Sequence, residues 1–98
     1  MIDGNYYDPA TGSQLEVRNL GHQLEGMFFS PEVGPFQLQG KSTMGGNDVA
    51  ALSGIGERGD TTIALAISED PSRTSLEVGY SFASPHGQVK SHQGTFQK

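Results

Sequence analysis

Cysteine and tryptophan are both absent from this chain of 98 residues. Without cysteine there is no disulfide framework, no thiolate nucleophile and no cysteine-ligated zinc ribbon, so packing and ladder hydrogen bonds must hold the fold. Basic residues are scarce: six lysines and arginines stand against eleven acids, a formal net charge of −5. That sign is wrong for neutralising phosphates. Lys41, Arg58, Arg73, Lys90 and Lys98 are scattered, with no basic run interleaved with aromatics, so nucleic acid is not expected as a partner. No apolar run approaches membrane-spanning length, and Met1 is followed by Ile2, Asp3, Gly4 and Asn5, without a basic region or an apolar stretch. No membrane partner is expected. The chain reads as soluble and cytoplasmic, or as secreted or periplasmic where a signal peptide has been removed.

What is present is alternation. Apolar and polar residues alternate over 5–7, 13–19, 22–30, 36–41, 49–55, 61–68, 74–82 and 88–97, and Gly, Pro, Asn or Asp separates nearly every neighbouring pair. A period of two with turn residues between short runs means consecutive antiparallel hairpins, and no helical apolar stripe competes with it. Residues 74–82 are the most regular, with Leu76, Val78, Tyr80 and Phe82 on one face, and should be central to the core. Residues 42–48, with Met44 and the pair Gly45-Gly46, form the longest irregular stretch. Val89 and Phe96 fall on opposite faces of an unbroken last strand, and a bulge at Gly94 would bring them into phase. Met27 and Phe29 lie on the nominally wet face of their strand, and Ala64 and Ala66 on that of theirs, surfaces suited to a second copy of the chain. These patterns predict one domain over residues 1–98, an all-β, eight-stranded antiparallel up-and-down barrel closed by its first and last strands. A small β-sandwich is the alternative.

Signals for catalysis are weak. His22, His86 and His92 have no second ligand at metal spacing, and two of them adjoin turns. Leu52-Ser53-Gly54-Ile55-Gly56 resembles a nucleophile elbow only superficially, because no helix follows. Glu16, Glu25 and Glu77 alternate outward as solvated sheet residues. No Lys-Ser/Thr follows the glycine pairs to make a phosphate loop. Arg58-Gly59-Asp60 spells an adhesion tripeptide, but glycine and aspartate are also what a tight turn needs. No enzyme, metal or cofactor is predicted.

Several segments together carry a family resemblance. Gly4-Asn5-Tyr6-Tyr7-Asp8 followed by Gly12-Ser13 resembles the opening Gly-x-Trp-x-Asn and Gly-Ser of the avidin and streptavidin family, with Tyr6 at the tryptophan position. Leu24-Glu25-Gly26-Met27-Phe28-Phe29-Ser30 is similar to the family's third strand, Leu-x-Gly-x-Tyr-x-Ser. Phe36-Gln37-Leu38-Gln39-Gly40 is similar to the fourth, and Gly94-Thr95-Phe96-Gln97-Lys98 to the closing Asp-Thr-Phe-x-Lys. The resemblance implies an eight-stranded barrel holding a ligand at one open end, with Asp8, Ser13, Phe28, Ser30, Tyr80 and Phe82 at the mouth. Phe28, Tyr80 and Phe82 would give apolar contact, and Asp8, Ser13 and Ser30 would orient the ligand by hydrogen bonds. Three departures weigh against biotin: the chain has none of the tryptophans that wall the family's pocket, Phe28 lacks a hydroxyl, and Gly94 stands where the family has a ligand-binding aspartate.

Two functions follow as expectations. The first is a non-enzymatic, avidin-like barrel, alone or as a homo-oligomer, that binds a small molecule or peptide at its open end. The second is a protein-interaction or inhibitor module acting through its loops, with residues 42–48 and 31–35 as contact elements. A filled interior would favour the second and an open, lined mouth the first.

Overall fold

The computed structural model describes residues 3–21, 23–42, 49–57, 61–70 and 74–98. Eight strands follow in chain order: β1 (Gly4–Asp8), β2 (Ser13–Asn19), β3 (Leu24–Ser30), β4 (Gly34–Ser42), β5 (Val49–Gly56), β6 (Thr62–Glu69), β7 (Ser75–Ala83) and β8 (Val89–Gln97). Each pairs antiparallel with its neighbour, and β8 returns to β1, so the sheet is a closed up-and-down barrel of the avidin/lipocalin-like class. No helix among the described residues is long and apolar enough to cross a membrane.

Alternation places the side chains. Leu15 and Val17, Leu24 and Phe28, Phe36 and Leu38, Ile63, Leu65 and Ile67, and Val78, Tyr80 and Phe82 are buried inward, whereas the residues of opposite parity on these strands face out. One hydrogen-bonded row runs Asn5, Glu16, Met27, Gln37, Ile55, Thr62, Ala83, Val89. The closing pair Tyr7↔Gln97 then sets a stagger of ten residues: eight from Val89 to Gln97 and two from Asn5 to Tyr7. Such a stagger tilts the strands steeply across the barrel axis and makes the two ends of the wall uneven.

Two details differ from the sequence reading. The turn after β3 is shorter, because Gly34 takes φ 98° and already pairs with Ser30, while Pro35 pairs with Phe29. A three-residue loop closed by a left-handed glycine is a standard hairpin connection, so the proline falls inside the strand. The expected bulge at Gly94 is not there. The β7–β8 register runs unbroken from Ala83↔Val89 through Val78↔Gly94 to Ser75↔Gln97, so Phe96 is buried while Val89 is 64% exposed. Apolar residues on opposite faces are tolerated here because the outward one lies in water at the rim, where burying it is not required.

Candidate functional site

In an up-and-down barrel the turns after β1, β3, β5 and β7 gather at one end. Asp8 and Ser13 face each other across the first hairpin there, and Ser30 ends β3 one register step beyond Gln14↔Phe29, so the three polar residues share the rim. The fold thus brings together the rim residues that the resemblance implies. Each is also engaged in its own turn. Asp8 is buried, and its Oδ1 accepts the Ala10 N–H at 2.9 Å while its Oδ2 accepts the Thr11 hydroxyl at 3.0 Å. Thr11 Oγ1 lies 2.9 Å from Ser13 Oγ and accepts the Ser13 N–H at 3.2 Å. Ser30 Oγ accepts the N–H groups of Glu32 at 3.2 Å and Val33 at 3.3 Å. These are the turn-capping bonds that Asp and Ser side chains make with nearby backbone.

Phe28, Tyr80 and Phe82 also converge, below that rim, but as a packed cluster. The Phe28 ring centroid lies 4.9 Å from that of Tyr80 and 6.1 Å from that of Phe82, and Tyr80 and Phe82 meet at 5.6 Å. Phe36 and Phe96 complete the group, at 6.4 and 6.1 Å from Phe28. Phe28, Phe36 and Phe96 are 0% exposed. The tilted and edge-on geometries are those that aromatic quadrupoles favour. Five rings therefore fill the space beneath the mouth.

Two residues of the mouth escaped the sequence reading. His92 stacks on Tyr80 at 5.2 Å and meets the Phe82 ring at 6.0 Å, and Lys90 Nζ reaches Glu32 Oε1 at 3.6 Å on the turn after β3. Parity with Phe96 on an unbroken strand was the signal that would have placed both inward, and assuming a bulge concealed it. Gly94 has the same parity. A Cβ built there would stand 2.9 Å from Asp8 Oδ2. The aspartate that the resembled family carries at this position would therefore press a second carboxylate against Asp8, so Asp8 and Gly94 depart from the family's pattern together.

Grooves open on the surface as well. One of about 660 Å³ lies at this same end of the barrel, between the turn after β3 and the end of β5, lined by Glu32, Val33, Phe36, Gly56 and Thr61 among others. Another of about 250 Å³ lies on the outer wall beside Met27 and Phe29. With Tyr7, these two residues form an outward apolar patch, each 38% exposed or more.

Other candidates resolve simply. Ser53 lies within β5 and faces outward, Glu16, Glu25 and Glu77 point away from the core, and no group of three potential metal ligands occurs among the described residues. His86 is exposed in the turn after β7. His22, Arg58-Gly59-Asp60 and residues 43–48 lie outside the described residues. β4 ends at Ser42, at the end of the barrel opposite the turn after β3.

Comparison with protein-family models, with curated proteins and with solved structures returns no match to this chain.

Proposed function

We propose that this chain is a non-enzymatic binding barrel whose occupant is a segment of a protein, held at the rim and outer wall, and not biotin or another small molecule in the interior. The filled interior carries this reading: the space below the mouth is taken by Phe28, Phe36, Tyr80, Phe82 and Phe96. A pocket for a small ligand needs concave space that buries most of the ligand, and removing a packed ring to make it costs about 3–5 kcal/mol. The polar rim supports the same reading, since Asp8, Ser13 and Ser30 already bond within their turns. The outward patch of Tyr7, Met27 and Phe29 has the side-chain chemistry enriched at protein interfaces. The non-enzymatic part rests on the lack of an assembled acid, base and nucleophile among the described residues.

Native mass spectrometry of the chain recovered under mild conditions, with and without added biotin, tests the proposal. The expected result is a bare chain whose mass biotin leaves unchanged. A retained small molecule, or a mass shift on adding biotin, overturns it.

A further inference from the structure

We propose that the open edge of β8 over residues 89–93 receives an extended peptide segment of a protein partner as an added strand; this rests on the protein-segment reading above. Two backbone bonds reveal which way each residue of β8 faces. Ser84 N donates to Gln88 O at 2.9 Å, and Lys98 N donates to Thr74 O at 3.1 Å. In an antiparallel ladder alternate residues bond to the same neighbour, so the even-numbered residues of β8 bond to β7 and the odd-numbered ones turn both backbone groups away from it. On that far side Tyr7↔Gln97 is the pairing with β1. The next position facing β8 would be Pro9, opposite Thr95, and proline has no N–H to donate. Beyond it the chain turns back, with the Thr11 and Gly12 N–H groups given to Asp8 O. Among the described residues, nothing pairs with the outward backbone groups of Val89, Ser91 and Gln93.

This edge has few of the features that protect edges from strand addition. Its register with β7 is unbroken over nine consecutive pairs, it contains no proline or bulge, and it carries uncharged side chains at 89, 91 and 93, with the inward-facing Lys90 as its one charge. All five residues from 89 to 93 are exposed.

The size and charge of the edge select the occupant. Five residues span about 17 Å, a short seam for two rigid barrels, which need about 1,200 Å² or more of buried surface for a stable pair. An extended peptide adds to the ladder and also lays alternate side chains over the mouth, against His92 and Tyr80. β8 contains no acidic residue, and Lys90 faces that mouth. Its bond to Glu32 is between two exposed groups and is readily exchanged. The complementary peptide carries a carboxylate opposite Lys90.

The probe is a random seven-residue peptide library selected against the immobilised full chain, with recovered peptides labelled and titrated by fluorescence anisotropy. Ser91→Pro removes an N–H that faces the open edge and leaves the β7 ladder whole. It forfeits only the exposed Ser81–Ser91 hydroxyl contact. The expected result is recovery of acidic extended peptides whose binding falls about tenfold with Ser91→Pro and also falls with Lys90→Glu. Gln93→Pro repeats the test should Ser91→Pro fail to fold. Peptides that bind both proline variants as tightly as the parent overturn the added strand while leaving the protein-segment reading standing. Recovery of no peptide overturns the added strand, and biotin binding in the same chain overturns the reading beneath it. A doubled mass that Ser91→Pro abolishes would give the edge to a second copy and overturn the peptide as occupant.

Discussion

Gly26, Gly40 and Gly54 sit on neighbouring strands, and a methyl group added to any of them would be driven into a backbone carbonyl oxygen of the adjacent strand, that of Glu16, Ala51 or Gln37. Glycine in a strand interior ordinarily weakens it, so three such residues mark where the wall bends sharply and backbones cross closely. Their neighbours are backbone atoms, which cannot rotate away as a side chain would. Gly40→Ala is expected to destabilise the fold by about 3 kcal/mol, an overpacking cost, read as a lower urea midpoint at unchanged slope. Surface positions of the same strand, such as Gln39→Ala, should change it by less than about 0.5 kcal/mol. At this scale Asp8 and Ser30 are turn residues, whatever else they touch: their oxygens are aimed at backbone N–H groups two or three residues on.

At the scale of the element, β8 is secured almost entirely from one side. It is laddered to β7 along its whole length and to β1 at one pair. Lys98 adds a contact at the seam, its Nζ 5.6 Å from the centre of the Tyr6 ring. The expected consequence is an alternating pattern of amide hydrogen exchange along β8, measured by NMR. His92 and Gly94 should exchange slowly, and Val89, Ser91 and Gln93 fast, because only the first group donates to β7. Uniform protection along 89–94 would contradict the open edge. All eight strands were legible as alternating runs, and their ends were found to within about two residues because Gly, Pro and Asp punctuate them. β8 was misjudged for a physical reason: the pattern assumes that an apolar residue must point inward, and Val89 lies at a rim where water is its neighbour.

For the whole molecule, closure is a long-range event, joining residue 7 to residue 97 across a wall staggered by ten. The last strand also delivers Phe96 to the aromatic cluster, within 6.2 Å of both Phe28 and Tyr80. Removing residues 94–98 takes away the seam and that ring together. The shortened chain is expected to lose its cooperative thermal transition in calorimetry, whereas removing Lys98 alone should preserve it. A sharp transition in the shortened chain would mean that the other seven strands hold a core without closure.

The sequence by itself determined the number of strands, their order and which face of most of them is apolar, because side-chain period and turn chemistry are local properties of the chain. It also determined that cysteine chemistry is ruled out and that phosphate binding has the wrong charge balance. What only the tertiary structure decided was where those strands meet. The stagger between β1 and β8 and the five rings that fill the space beneath Asp8, Ser13 and Ser30 depend on residues far apart in the chain. So does the closeness of the Asp8 carboxylate to Gly94. Alternation says which way a side chain points, and only the register between strands says what it meets there.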